Sequence, residues 1–337
     1  MKILFIGGTG TISTAISRKI LESGEHELYL INRGNRNDCL KPGYKSIICD
    51  INDEEAVSKK LEGLEFDVVA DFIAYVPSQM ERDYRLFSGK TKQFIFISST
   101  SAYQKPLSNY KITEGTPLAN PYWEYSRNKI ACEDYLMKMY RDNGFPVTIV
   151  RPSHTYDERK ITVGTYGKSS WQIAKRMLDG KPVIIHGDGS SLWTMTHSLD
   201  FADAFIGLMG NMHTIGEAVH ITSDESLTWN QIYRCVANAL GVELKPYYVP
   251  SDFLAKCSDY GFDGGLLGDK ANTVVFDNSK IKSLVPGFSA KIRYEQGVRM
   301  TVENILANKD LQIEDPEFDL WCDRVIAAMD KAVESLK

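Results

Sequence analysis

Residues 2–13 read Lys2-Ile3-Leu4-Phe5-Ile6-Gly7-Gly8-Thr9-Gly10-Thr11-Ile12-Ser13, an apolar run of strand length that breaks at Gly7, Gly8 and Gly10 and then turns amphipathic. A glycine-rich turn between a strand and a helix lets the backbone approach a pyrophosphate, and the helix N-terminus offers that anion positive potential. Gly7, Thr9, Gly10, Thr11 and Ile12 are therefore candidate cofactor contacts. The spacing is G-x-x-G-x-x-S, with Ser13 where the dinucleotide fingerprint G-x-G-x-x-G carries its third glycine. A small residue there still permits close packing of helix on strand. A plain tight turn uses glycine in the same way, so the sequence downstream has to separate the two readings.

Working outward, short β-rich runs alternate with helical patterns: a helix over 12–22, strands at 27–31 and 46–49, strands at 67–71 and 93–98 with a polar helical stretch around 79–87 between them. A long helix over 121–143 follows, then a strand at 146–150 that runs into Arg151-Pro152. This rhythm predicts an α/β fold, a doubly wound parallel sheet of the Rossmann type covered on both faces. Helices are predicted at 169–178, 200–209, 229–240, 294–307 and 316–335, with short strands at 183–185 and 218–221. The expected organisation is a dinucleotide-binding domain over 1–165, its sheet completed by later segments, interleaved with a smaller C-terminal α+β substrate lobe over 166–337. The loop at 103–120, rich in Pro, Ser, Asn and Lys, is a candidate lid or substrate-edge loop.

The 337 residues are 43% hydrophobic and 25% charged, ordinary values for a globular chain with a sizeable core. A net charge of −5 offers no broad attraction for a phosphate backbone, which disfavours nucleic acid as a partner. Cys39, Cys49, Cys132, Cys235, Cys257 and Cys322 are scattered without a C-x-x-C, so neither a metal site nor a disulfide framework is suggested, and a reducing cytoplasm fits. The apolar opening is too short for a signal peptide or a membrane span.

Two stretches address the cofactor. Asn32-Arg33 follows the second strand, where a carboxylate would bind a ribose 2′-hydroxyl and an arginine instead accommodates a 2′-phosphate. This favours NADP, with NAD as the alternative and a solvated loop cation as the plain reading of Arg33. Asp50 and Ile51, after the third strand, are placed to reach the adenine edge; Asp50 would serve equally as a helix cap before Asp53 and Glu54.

Tyr125-Ser126-Arg127-Asn128-Lys129 sets a phenol and an ammonium four residues apart on one helix face. A phenol titrates near 10 and acts as a base at neutral pH only if its anion is stabilised. A cation at about 4 Å is worth on the order of 4 kcal/mol at an effective dielectric of 20, before desolvation. An amphipathic pair with a solvated lysine is the alternative for an isolated Tyr-x-x-x-Lys. Here the pair falls one strand-to-helix step after Phe94-Ile95-Phe96-Ile97-Ser98-Ser99-Thr100, and a hydroxyl at a strand's carboxyl end lies in the crevice that ligands use in open α/β sheets. Ser99 is the candidate partner of the reacting oxygen, although serine suits such a turn regardless of function.

In order and spacing, the turn at 7–13, the Ser99 region ending at Tyr103, Tyr125 with Lys129, and Arg151-Pro152 resemble the extended short-chain dehydrogenases/reductases, the NAD(P)-dependent epimerase/dehydratase family, over roughly residues 1–240. The resemblance implies that Tyr125 is the general acid or base, that Lys129 holds the nicotinamide ribose and eases ionisation of Tyr125, and that Ser99 orients the substrate oxygen. Phe72-Ile73-Ala74 resembles the segment lining the cofactor after the fourth strand, and Pro152-Ser153-His154 the segment passing the nicotinamide amide. The implied chemistry is hydride transfer at a secondary alcohol of a sugar or nucleotide sugar, and the implied assembly is a homodimer through helices flanking the sheet.

The pattern departs in two places. Family 4,6-dehydratases carry Asp-Glu directly after the catalytic hydroxyl; here Thr100-Ser101 stands there, which removes the acid–base pair for water elimination and leaves Thr100 as a substrate-side candidate. Many nucleotide-sugar members clamp a diphosphate with an arginine four residues before the histidine matched by His197, and Trp193 occupies that place. Arg159, Lys160 and Lys168 are alternative cations, and Trp193 offers a face for a ring. His197 itself reads as a structural histidine bonded to backbone. Three readings stay open: a sugar or nucleotide-sugar epimerase, an NADP-dependent reductase or dehydrogenase of another small molecule, and a redox-silent protein like the chloroplast stem-loop RNA-binding branch, which Asn32-Arg33-Gly34 also resembles.

Overall fold

Ile3, Leu4, Phe5 and Ile6 are all fully buried, and their side chains alternate between two cores, Ile3 and Phe5 in one, Leu4 and Ile6 in the other. A strand apolar on both faces has to lie inside a sheet covered on both sides. The computed structural model describes residues 1–34 and 39–337 and bears this out. The sheet strands are β1 (Lys2–Ile6), β2 (Glu27–Asn32), β3 (Lys45–Ile48), β4 (Val68–Asp71), β5 (Phe94–Ile97), β6 (Val147–Pro152) and β7 (Ala218–Ile221). Their order is β7-β6-β5-β4-β1-β2-β3, and every neighbouring pair is parallel. The order reverses direction at β1 and β4, so a crevice opens at their carboxyl ends, the place where doubly wound sheets take ligands.

On one face α1 (Thr11–Ser23) packs against the helix Ser198–Leu208, with Ile16 and Ile20 meeting Phe201, Phe205 and Leu208 in a common core. The other face is covered by α2 (Glu54–Lys60), α3 (Pro77–Phe87) and α4 (Glu124–Asn143), which bury Val57, Met80, Leu86, Phe87, Cys132 and Leu136. α4 begins at Glu124 and not at Pro121, because Asn120 Oδ1 accepts hydrogen bonds from Tyr122 N and Trp123 N, both at 3.2 Å, and turns the chain before the helix starts. The helix over 54–60, absent from the alternation of runs and hinted at only by the cap reading of Asp50, is capped by Asp53, which accepts from Ala56 N at 3.1 Å.

The chain divides into two units. The first is Met1–Thr155, Met195–Asp224 and Phe276–Lys291; the second is Tyr156–Thr194, Glu225–Val275 and Ile292–Lys337. The first break falls ten residues before the expected 165, and the chain returns twice to the first unit because the helix Ser198–Leu208 and strand β7 finish its sheet. Within the second unit, Tyr294–Ala307 packs on Trp229–Leu240, and Val183–His186 pairs in parallel with Pro246–Val249. Leu192–Trp193 pairs antiparallel with Leu227–Thr228. Among the described residues no helix is long and apolar enough to cross a membrane.

Candidate active site

The glycine turn is built by close contact. Gly7 has φ +83°, and a Cβ there would lie 2.3 Å from Ile73 Cγ2; one on Gly8 would lie 2.4 Å from Leu30 Cδ2. Ser13 does more than fit. Its Oγ accepts from Gly10 N at 2.8 Å and donates to Gly7 O at 2.7 Å, tying the two ends of the turn together, while Ser17 Oγ donates to Gly8 O at 3.0 Å. The first intrahelical bond of α1 runs from Thr14 N to Gly10 O, so the amides of Thr11, Ile12 and Ser13 have no intrahelical acceptor and are the donors at the start of the helix.

A cleft of about 790 Å³ runs along this edge of the sheet, within the range of cofactor sites. Gly7, Thr9, Gly10, Thr11, Ile12, Asn32, Arg33, Asp50, Ile51, Phe72 and Ile73 all line it, with Ser13 of the same turn, and together with Cys49, Asn52, Tyr75 and Gln79, which the motifs do not point to. Asn32 Oδ1 accepts from Gly34 N at 2.8 Å, and its buried Nδ2 has no partner among the described residues. An orphaned donor in a cleft of this shape fits a ligand rich in acceptors. Asp50 does not cap α2; its Oδ1 accepts from the backbone and side-chain nitrogens of Asn52 at 2.9 and 3.0 Å.

The wall of the cleft rests on a buried charge cluster that the sequence reading missed. Asp71 Oδ1 accepts from Ile73 N at 2.6 Å and Ala74 N at 2.9 Å, which fixes the 72–74 segment. Arg82 donates to Asp83 Oδ1 at 2.9 Å, to Asn52 Oδ1 at 2.8 Å and, at 3.3 Å, to Asp71 Oδ2. One guanidinium thus joins the walls that follow β3 and β4. Burial, reinforced by the neighbouring Asp71 carboxylate, pushes Asp83 well above the usual carboxylate range.

Tyr125 and Lys129 project from one face of α4, with Lys129 Nζ 5.7 Å from the Tyr125 ring centroid. The ammonium does not stand in solvent. It donates to Ala74 O at 2.7 Å and Ile97 O at 2.6 Å and lies 4.7 Å from the Phe96 ring centroid. These contacts place it across the ends of the 72–74 segment and β5. Burial lowers its pKa to about 8, against the opposing pull of Asp71. One turn further along the same face, Glu133 holds Arg151 of β6 in a two-pronged pair, at 3.0 Å from Nε and 2.5 Å from Nη2, and also accepts from Ser98 Oγ. This anchor fixes α4 against β5 and β6. Ser99 caps the short turn Thr100–Ala102 by accepting from Ser101 N at 3.1 Å, and its Oγ lies 2.9 Å from Ser101 Oγ. Thr100 and Ser101 are buried, and no carboxylate stands at either position. Pro152 is buried at the end of β6, paired with Ile221, and His154 follows it half-buried.

Two of the substrate-side candidates have partners inside the second unit. Arg159 Nε donates to Asp157 Oδ2 at 2.8 Å, and Trp193, only 3% exposed, lies against Trp229 with ring centroids 5.5 Å apart. Lys160 sits over the Tyr166 ring, 4.2 Å from its centroid, and Lys168 pairs with Glu317. His197 Nδ1 accepts from Leu199 N at 3.2 Å at the start of its helix, a structural bond to backbone.

A fold and cleft of this kind define an enzyme of the extended short-chain dehydrogenase/reductase class. The chain belongs to the NAD dependent epimerase/dehydratase family, whose sequence pattern matches residues 3–221. A 2'-dehydrokanamycin reductase of Streptomyces kanamyceticus is 24% identical over 292 residues, 86% of this chain and 81% of that protein. The chloroplast stem-loop binding protein of 41 kDa b of Arabidopsis thaliana is 24% identical over 269 residues, 75% of this chain and 67% of that protein. Among solved structures, the dTDP-glucose 4,6-dehydratase of Bacillus anthracis in complex with NAD superposes with a TM-score of 0.72 at 19% identity, covering 92% of this chain and 98% of the other. At that identity the likeness is one of fold. The family is described as NAD dependent, and the expected preference for NADP gains no support from that description.

Proposed function

We propose that the protein oxidises and reduces a secondary alcohol of a carbohydrate-like molecule, free or nucleotide-linked, with Tyr125, Lys129 and Ser99 as its reactive centre. The observation that carries this is the ammonium of Lys129, buried between Ala74 O and Ile97 O at the edge of the cleft and within 5.7 Å of the Tyr125 ring. A nicotinamide cofactor held along the cleft by the turn at 7–13, Asn32 and Arg33 would supply hydride transfer at the alcohol carbon. Tyr125 then exchanges the hydroxyl proton, and the fixed positive charge lowers the cost of its phenolate. Ser99 donates to the same substrate oxygen and holds it in place. Thr100 and Ser101 offer no carboxylate for water elimination, so dehydration is not part of the reaction.

A second reading, net reduction of a ketone on a compound without a nucleotide, is favoured by Trp193. It stands where the resemblance expects a diphosphate-binding arginine, and its ring is buried against Trp229. The two readings separate on a panel of UDP-glucose, UDP-galactose, dTDP-glucose and 2'-dehydrokanamycin. Stereochemical inversion without net change in reduced nicotinamide marks an epimerase; stoichiometric loss of reduced nicotinamide marks a reductase. No turnover of any panel compound overturns the carbohydrate assignment.

For the cofactor, Arg33 and Asn32 line the cleft beyond β2, and both carry donors, the buried Nδ2 of Asn32 having no partner among the described residues. Donors suit a 2′-phosphate, which only accepts, and on this ground the protein prefers NADP over NAD. Arg33→Ala is expected to weaken NADP at least tenfold while leaving NAD within about twofold, a difference on the order of 1.4 kcal/mol. Equal effects on the two cofactors contradict the preference.

A further inference from the structure

Ser99 is not an isolated hydroxyl. Ser126 Oγ donates to Ser101 Oγ at 2.8 Å, and Ser101 Oγ lies 2.9 Å from Ser99 Oγ. Ser126 is fully buried, Ser101 is 3% exposed, and only Ser99 reaches partial exposure. A hydroxyl has one proton and two lone pairs. Ser126 commits its proton to Ser101; between Ser101 and Ser99 either hydroxyl can donate, and the arrangement in which Ser101 donates is the one that leaves the Ser99 proton free for a ligand. Ser99 Oγ also accepts from Ser101 N at 3.1 Å. In that arrangement both of its lone pairs are filled from behind, and its single proton has one direction left, outward.

We propose that Ser101 and Ser126 are positioning residues that make Ser99 a permanent hydrogen-bond donor to the substrate oxygen. This rests on the reading of Ser99 given above and extends it. The consequence is chemical. A serine free to rotate can accept the proton of a substrate alcohol and hold it away from Tyr125, an unproductive arrangement. A serine that only donates leaves that alcohol one acceptor for its proton, Tyr125, and in the reverse direction it polarises a ketone. The chain ends at Ser126 with no exposure, so it orients a hydroxyl and is not a route for proton release. Asn120 holds the assembly in register: its Nδ2 donates to Ser101 O at 2.9 Å while its Oδ1 caps the approach to α4, the helix that carries Ser126 and Tyr125.

The test is a double-mutant cycle on the full-length protein with cofactor, using whichever panel compound the wild type turns over fastest. Ser101→Ala and Ser126→Ala should each lower kcat about tenfold, the worth of one oriented hydrogen bond, with KM and the cofactor Kd within about twofold. In a Ser99→Ala background neither substitution should lower kcat further, whereas a merely structural effect would persist there. Full kcat in both single variants, or an undiminished loss in the Ser99→Ala background, overturns the proposal and leaves the reactive centre standing. Full kcat in Ser99→Ala alone overturns the centre and the proposal together. If Ser101→Ala does not fold, Ser126→Ala decides the question by the same criteria.

Discussion

Lys129→Met removes a buried ammonium and keeps a side chain of similar length. Two effects oppose each other. The bonds to Ala74 O and Ile97 O are lost, and hydrogen bonds with a charged partner contribute about 1.5–3 kcal/mol each. The desolvation that lowers Lys129 from 10.5 to about 8 is relieved, worth roughly 3 kcal/mol at about 1.4 kcal/mol per pH unit. At pH 7 the variant should therefore be less stable by only about 0–3 kcal/mol, yet inactive. The pH dependence carries the sharper signature. Between pH 8 and 10.5 the unfolded chain holds a proton that the folded chain has released, so wild-type stability gains with rising pH across that window. Methionine contributes no such slope, and all other titrating groups are shared. Urea denaturation of both proteins at pH 7 and pH 10.5 should show the wild type's advantage growing by roughly 3 kcal/mol. Parallel dependences, or an advantage that shrinks with rising pH, would refute the placement of a charged, desolvated amine at this point.

If the free enzyme needs the Lys129 ammonium, kcat/KM on the active panel compound falls as pH rises through about 8; a profile level to pH 9.5 contradicts that need. Arginine cannot be deprotonated in this range, so any residual activity of Lys129→Arg should lose the limb near 8. Arg82→Met strands Asp71 and Asp83 without their cation and should cost about 3–5 kcal/mol at pH 7, read as a lower urea midpoint with unchanged slope. A loss below about 1 kcal/mol would show that the cluster does not hold the cleft wall.

What could be read from the sequence was what is local. The strand, glycine turn and helix of residues 2–23 are contiguous, and the four-residue spacing from Tyr125 to Lys129 places both on one helix face whatever surrounds it. The alternation of strands and helices was enough for the parallel sheet. The supports of the site were not legible, because their partners meet only through the sheet. Glu133 finds Arg151 and Ser98 when α4 lies on β5 and β6, and Arg82 finds Asn52 and Asp71 when α3 crosses the ends of β3 and β4. The same holds for Ser101 and Ser126, 25 residues apart and joined by one hydrogen bond. The helix over 54–60 escaped for a different reason: of its seven residues only Val57 is buried, so it shows little apolar period. Its signals were the Asp53 cap, the acids Glu54 and Glu55, and the bases Lys59 and Lys60.

The central claim is that the phenol of Tyr125 moves the proton while the cofactor cleft works independently of it. Tyr125→Phe, assayed for turnover of the active panel compound alongside cofactor binding by titration, tests this most directly. Cofactor affinity should stay within about threefold while turnover falls by about 10²–10⁴-fold, the usual worth of a positioned acid or base. A phenylalanine variant that binds cofactor and turns over at the wild-type rate would contradict the account.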